Sequence, residues 1–519
     1  MEYRVARDEL TDGQMTQVQA GKRKLLLLRS GGEYRAFAAL CPHYGALLAE
    51  GLLHDDHVLC PWHQSVFDAL NGDLIEPPAL ASLPQFAVRV EDGDVYVEVP
   101  DDARRQRAPE MATPDPDADG RLFAVVGGGA TAVAAVAALR EAGYQGRIML
   151  ISAEDRWPYD RPNLSKDYLA GGLKPEWMAL HADSFYERIG VERRHDVVTS
   201  LDVGSREILL QGGGSLTPDA VLVAPGAEPR RLDLPGADLA GVLTLRSWDD
   251  CDRLVAAVDE ADHVVVVGAS FIGTEVAASL RRKDKDVVVV APDEVPFAHT
   301  LGATVGETLK AAHEQRGTRF RLGRRPVALH GDGTVASVEL DDGEQLPADV
   351  VVMGIGARPR TGFLRGVQVD DDGGVRVDEQ LRLAPGVWAG GDIARYPEPH
   401  VGEAVRIEHW RLAEQHGRAA AFSMAGAGKP FDGVPFFWTE QAGLLVGFAG
   451  VGGPWTDTVV TGDPAAGDFT VFYARDEQVR AACGTDGRAL DAFTELMRTG
   501  RVPAASTLRA TGGDLERYL

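Results

Sequence analysis

Cysteine is scarce: the 519 residues hold four, at positions 41, 60, 251 and 483. Thiols so few and so scattered do not make a disulfide framework, and they suit a reducing interior. Neither C-x4-C nor C-x-x-C occurs, so the usual spacings of a redox-active dithiol are absent. Long apolar runs are missing too. No stretch reaches the roughly 18 apolar residues of a membrane-spanning helix. Met1-Glu2-Tyr3 opens into polar sequence without the basic segment and apolar core of a secretion signal. The chain is therefore expected to be cytoplasmic and off the membrane. Positive charge is in deficit, with 53 Lys and Arg against 78 Asp and Glu for a net −25. That balance repels phosphate backbones and anionic lipid, which argues against a nucleic-acid partner. The apolar share of 45% is ordinary for a globular protein. The length suits about three or four domains.

Two of the four cysteines stand beside histidines. The segments are Cys41-Pro42-His43-Tyr44-Gly45 and Cys60-Pro61-Trp62-His63, with 16 residues between His43 and Cys60. Each half offers one thiolate and one imidazole on a short loop. Zinc accepts a Cys2His2 set, and four unrelated surface residues are the plain alternative. The order favours a third reading. A zinc finger usually keeps both cysteines in one half, whereas here C-x-H is followed by C-x-x-H. That alternation is the one expected when two cysteines ligate one iron and two histidines the other in a 2Fe–2S cluster of Rieske type. Cys41, His43, Cys60 and His63 are the candidate metal ligands. Over about the first hundred residues the chain resembles the Rieske family. Phe67-Asp68, Asn71-Gly72-Asp73 and Pro77-Pro78 are similar to the tail of a soluble Rieske ferredoxin. Respiratory Rieske proteins carry two further cysteines; Tyr44 to Ala46 and Gln64-Ser65 occupy those places here, so the resemblance implies the lower-potential, ferredoxin-like subtype.

Short alternating runs around this motif, among them Lys24–Leu28, Val58-Leu59, Val66-Phe67, Val88–Val90 and Val95–Val99, predict a small antiparallel β domain over residues 1–100. Residues 101–120 are charged and proline-rich and read as a linker that lets this domain dock on, or swing against, the remainder of the chain. The pattern then changes to α/β. The strand Leu122–Val126 leads into Gly127-Gly128-Gly129-Ala130-Thr131-Ala132 and an Ala-rich helix; a second strand, Arg147–Ser152, ends just before Glu154. This is a G-x-G-x-x-A dinucleotide loop. Gly127 allows the tight turn, Gly129 lets the backbone reach a pyrophosphate, Ala132 keeps the third small position, and Glu154 is placed to hold ribose hydroxyls. The unit recurs. His263–Val267 leads into Gly268-Ala269-Ser270-Phe271-Ile272-Gly273, a helix, and a strand from Asp286 to Val290. Gly268 and Gly273 are its first and last small positions, with Ser270 in the middle. Asp293 and Glu294 lie just beyond the usual acid position, and no Arg is near in sequence to pair a 2′-phosphate, so NADH is favoured over NADPH.

The paired dinucleotide folds resemble the flavoprotein disulfide reductase superfamily. Pro158-Tyr159-Asp160-Arg161-Pro162-Asn163-Leu164-Ser165-Lys166 is similar to a segment of oxygenase-coupled ferredoxin reductases and apoptosis-inducing-factor-like proteins. Leu222–Ala227, Val352–Pro359, Val387–Asp392, Glu408-His409-Trp410 and Pro435–Thr439 match further family segments, with Pro225 where the family has Thr. The resemblance implies that Asp392, beside Gly391, binds the FAD ribityl and that Arg161 lies near the flavin and its phosphates. It implies that Lys166 contacts the isoalloxazine, paired with Glu275, as the catalytic couple. Trp410 and Phe271 become candidate stacking partners; ordinary core packing is the alternative for both. His409 receives no catalytic role. The expected architecture is multidomain. A small antiparallel β Rieske domain (1–100) and a linker (101–120) precede an FAD domain in two parts (121–243 and 367–430). An NAD(P)H domain (244–366) lies between those parts, and a C-terminal α+β interface domain (431–519) ends the chain. The implied function is an NADH-dependent flavoprotein reductase of ferredoxin type, monomer or homodimer. It would pass electrons from NADH through FAD to its own cluster and on to a redox partner such as an oxygenase, with NADPH as the possible second donor. A redox-gated interaction protein and an NADH oxidase using O2 are the alternatives.

Overall fold

The structure is a computed structural model and describes residues 1–519. Its N-terminal unit is all β. One antiparallel sheet runs in the order Glu2–Arg7, Asp94–Glu98, Gln85–Glu91, Glu33–Ala38, Arg23–Ser30, Met15–Ala20. A second, of four short strands, runs Leu52–His54, His57–Leu59, Val66–Asp68, Leu74–Glu76. The hairpin between Gln85–Glu91 and Asp94–Glu98 turns on Asp92 and Gly93, both at positive φ (51° and 77°), the pairing that a tight right-twisted hairpin requires.

Two parallel sheets follow. The first runs in the order Val191–His195, Arg147–Ser152, Leu122–Val126, Ala220–Val223, Val387–Ala389, with Arg382–Ala384 added antiparallel at the edge. The second runs Val242–Leu243, Val350–Met353, His263–Val267, Asp286–Ala291, Arg319–Leu322. Both faces of each sheet are covered, which is why these strands read as unbroken Val-rich runs rather than as alternation. The first sheet takes strands from either side of the second in sequence. One core of 39 buried residues takes in both Phe123–Val126 and, from much later in the chain, Val387, Trp388, Ala389 and Phe431, so the chain leaves this unit, builds the other and returns.

A five-stranded antiparallel sheet closes the chain, in the order Phe436–Gln441, Leu444–Gly450, Gln478–Gly484, Asp468–Arg475, Asp457–Asp463, with helix Gly487–Arg498 on it. The expected class, an antiparallel β unit, two α/β dinucleotide folds and a C-terminal α+β unit, is the one observed.

The 101–120 stretch is not the free tether that its composition suggests. Arg107 and Ser82 exchange backbone hydrogen bonds (2.9 and 2.8 Å), and Ala112 N–H donates to the Arg140 carbonyl (2.9 Å). Asp115 N–H donates to the Gln145 carbonyl (2.9 Å). Charge and proline signal a lack of regular structure, which a pinned chain shares with a loose one. No helix is long and apolar enough to cross a membrane.

Candidate functional site

Two loops of the N-terminal unit close in the same way. In the first, Cys41 N–H donates to the Ala46 carbonyl (2.9 Å) and Gly45 N–H to the Cys41 carbonyl (3.0 Å). In the second, Cys60 N–H donates to Ser65 (2.9 Å) and Gln64 N–H to Cys60 (3.0 Å). The fifth residue of each loop is left-handed, Gly45 at φ 80° and Gln64 at φ 55°. Glycine enters that region freely; glutamine does so at a cost of about 1–2 kcal/mol.

The loops bring their four candidate ligands together. Cys41 and Cys60 are buried, and the hydrogen bond from Cys60 pushes the Cys41 thiol down while the same bond pushes Cys60 up. His43 Nδ1 and His63 Nδ1 face each other at 3.0 Å. Burial keeps both rings neutral, with His43 down at about 3 and His63 well below its ordinary value. Two imidazole nitrogens about 2.1 Å from one metal, at roughly a right angle, lie about 3 Å apart. The donors form a sulfur pair and an imidazole pair. That division fits the two irons of a Rieske cluster rather than a single tetrahedral zinc.

Beside the imidazole pair lies a cavity of about 510 Å³. The N-termini of both dinucleotide helices, Ala130–Glu141 and Phe271–Arg281, open into it through Gly129–Thr131 and Ser270–Ile272. Free N–H groups and the helix dipole at those ends favour phosphate. Arg161, Lys166, Glu275, Gly391, Asp392, Phe271 and Trp410 also line the cavity. Lys166 Nζ and Glu275 Oε2 are 2.8 Å apart, with side chains only 13% and 5% exposed. Glu275 is fixed further by the hydroxyls of Ser165 (2.5 Å) and Thr439 (2.6 Å). A buried cation anchored in this way is a ready counter-charge for an anionic reduced ring.

The remaining candidates sit behind the wall. A Cβ on Gly127 (φ 132°) would lie 2.0 Å from the Ala224 carbonyl, and one on Gly268 (φ 112°) 2.3 Å from Gly354, so both turns exclude a side chain. Gly273 packs against the Gly268 carbonyl, and Ala132 is fully buried against the first sheet. Glu154 accepts from Tyr159 Oη (2.5 Å) and Arg161 Nη2 (2.8 Å) and orients that arginine. One sequence expectation needs correction. Arg324 is remote in sequence from Ala291, yet its N–H donates to the Ala291 carbonyl (3.1 Å), so an arginine does stand at this strand end. Its guanidinium is engaged by Asp342 at 2.8 Å.

Several residues that had no individual role in sequence meet the cavity or the cluster loops. Arg246 lines the cavity and pairs with Asp392 (2.9 Å). Trp438 lines the same cavity, and its ring lies 4.2 Å from that of His63 and 6.1 Å from that of His43. One indole thus separates the imidazole pair from the flavin-sized cavity. Tyr44, next to His43, donates to the Asp160 carboxylate and accepts from Asn163 (2.5 Å), both in the Tyr159–Lys166 segment that borders the cavity. Cys251 and Cys483 are buried and unbridged, and neither lines the cavity.

A paired-dinucleotide oxidoreductase with an iron–sulfur unit seated on its flavin cavity is the class that this geometry defines. Residues 122–417 match the sequence model of the pyridine nucleotide-disulphide oxidoreductases, residues 3–87 that of the Rieske [2Fe-2S] domain and residues 436–519 that of the reductase C-terminal domain. The chain is 34% identical over 506 residues to human apoptosis-inducing factor 3, spanning 95% of this chain and 83% of that one. It is 32% identical over 404 residues to the biphenyl dioxygenase system ferredoxin–NAD(+) reductase component of Paraburkholderia xenovorans, spanning 76% of this chain and 98% of that one. Among solved structures, the ferredoxin reductase for the CYP199A2 system from Rhodopseudomonas palustris superposes with a TM-score of 0.72 at 30% identity, covering 76% and 99% of the two chains. The chain belongs to the pyridine nucleotide-disulphide oxidoreductase family, in its Rieske-fused, apoptosis-inducing-factor-like form. FAD, NAD(P)H and a 2Fe–2S cluster are the cofactors of that form.

Proposed function

We propose that the protein is an NADH-dependent reductase that carries electrons through FAD to its own Rieske cluster and on to a protein acceptor such as an oxygenase. The observation that carries this reading is Trp438, which belongs to the cavity wall and also covers the imidazole pair. When bound, FAD takes a hydride from NADH and releases single electrons, and the cluster accepts them one at a time.

Cys41 and Cys60 supply the thiolates and His43 and His63 the neutral imidazoles. Gly129 and the helix N-terminus behind it hold the FAD pyrophosphate, with Gly127 and Ala132 shaping the turn. Asp392, set by Arg246 and next to Gly391, binds the ribityl, and Arg161, set by Glu154, faces the phosphates. Lys166 and Glu275 form the charged couple at the ring. Trp410 shields one side of the cavity from water. Gly268 and Gly273 shape the second loop, which takes the nicotinamide nucleotide. Asp293 and Glu294, together with the engagement of Arg324 by Asp342, favour NADH. We assign 1–100 to the cluster domain, 101–120 to the connection, 121–243 and 367–430 to FAD, 244–366 to NADH and 431–519 to the interface domain. Anaerobic NADH titration with paired absorbance and EPR readouts tests the reading. Flavin bleaching accompanied by a reduced Rieske signal is expected; a bleached flavin beside a cluster that stays oxidised would refute it.

A further inference from the structure

The geometry points to Arg411 as the positioning residue that fixes the second cluster loop at its distance from the flavin cavity. The inference rests on the electron path just proposed. Arg411 follows Trp410 on helix Trp410–Met424 and is 0% exposed. Its single guanidinium reaches three elements. Nε and Nη2 donate to the Gln64 carbonyl (3.1 and 2.8 Å), one residue past His63, and Nε also donates to the Pro77 carbonyl (2.9 Å). Nη1 donates to the Val434 carbonyl (3.1 Å), in the segment that enters the strand bearing Trp438. Nη2 is neutralised by Glu76 (2.5 Å).

A planar, rigid fork is suited to this task. It clamps the peptide of Gln64, the residue held left-handed, and ties it to the backbone just ahead of the indole that covers His63. Gly45, the equivalent residue of the first loop, is exposed, and a Cβ placed on it would meet no atom within 4 Å. Thr494 Oγ1 donates to Gln64 Oε1 (3.0 Å) and gives the second loop a further hold.

Arg498 provides an internal control. It pairs with the other oxygen of the same Glu76 (2.6 Å) and with Glu495 (3.1 Å) but donates to neither cluster loop. In Arg411→Met, Glu76 keeps Arg498 and the Gln415 amide (2.9 Å), which preserves its charge balance. The experiment uses the full chain loaded with FAD and iron. Rapid mixing with NADH reads flavin reduction and then cluster reduction, and hydrogen exchange reads the Gln64 amide. The expected result for Arg411→Met is unchanged flavin reduction, full cluster reduction by dithionite, cluster reduction from flavin slowed about ten- to a hundred-fold, and faster exchange at Gln64. Arg498→Met should keep the wild-type transfer rate. Arg411→Lys retains the charge but cannot span all three carbonyls, and should fall between. Wild-type transfer and exchange in both Arg411 variants would overturn the assignment, as would equal slowing in Arg411→Met and Arg498→Met. If Arg411→Met does not fold, Arg411→Lys against Arg498→Met decides by the same criteria. A wild-type cluster that NADH never reduces would instead sink the underlying electron path.

Discussion

The two cluster loops share a closure and differ in what holds them. Each carries its Cys first and a left-handed residue fifth, with matching hydrogen bonds at 2.9 and 3.0 Å. The first loop uses glycine at the turn and sits at the surface, attached to the flavin-side segment through Tyr44. The second uses glutamine, buried, gripped by Arg411 and braced by Thr494. Trp438 is also closer to the second loop's histidine. Both loops touch the reductase, but only the second has its turn residue held by it. A ligand pair can be built locally, but its distance to a second redox site has to be set by contacts from that site.

The comparison can be broken first at the ligands, where the loops should be equal. Cys41→Ala and Cys60→Ala should each abolish cluster loading while NADH still bleaches the flavin; iron and acid-labile sulfide analysis checks this. A variant that still held a full 2Fe–2S cluster would remove that residue from the ligand set. Next comes the asymmetry of the indole. Trp438→Leu should slow flavin-to-cluster transfer about ten-fold, and by more than it slows hydride uptake, since the indole lies between the imidazole pair and the cavity it lines; rapid mixing reads both rates.

The charge that docks the second loop should show in the pH dependence of stability. Burial opposes ionisation of Glu76, but Arg498 and Arg411 outweigh it and hold the carboxyl down at about 2, against an ordinary 4.5. A carboxyl with a depressed folded-state pKa stabilises above its unfolded value. The stability from Glu76 is thus complete above about 4.5 and is lost as the pH falls towards about 2. Acid unfolding of wild type against Glu76→Gln tests it: the variant should be less stable at neutral pH by about 3–5 kcal/mol, because the buried Arg411 loses its carboxylate and Arg498 is left with Glu495 alone. The two curves should converge in acid. The smallest effect is at the turns themselves. Gly45→Ala meets open space, so only backbone strain of about 1–2 kcal/mol should appear in thermal unfolding.

The four candidate ligands and both dinucleotide loops stand out in the sequence because their signals are local: four donors within 23 residues, and glycines at fixed offsets after Val-rich strands. The class of fold followed from the same periodicities. Arg246 and Arg411 were not legible, and Trp438 stood out only as part of the Pro435–Thr439 segment, since their contacts exist only across the assembled chain. Arg411 and Gln64 are 347 residues apart, and before folding nothing separates that arginine from any other on a helix. Arg324 teaches the same lesson from the other direction, since distance along the chain concealed an arginine at the second dinucleotide strand. The Lys166–Glu275 couple was expected from the family resemblance, whereas the Thr439 hydroxyl that holds Glu275 appears only once separate segments have packed.

The most direct test of the wiring is the dependence of flavin-to-cluster transfer on protein concentration. NADH is mixed rapidly with the holoenzyme over a hundred-fold concentration range, and cluster reduction is followed by EPR after freeze-quenching. Transfer within one chain, across Trp438, gives a single first-order rate that does not change with dilution. A rate that rises in proportion to protein concentration would mean that the cluster is filled by another molecule, and would contradict the account.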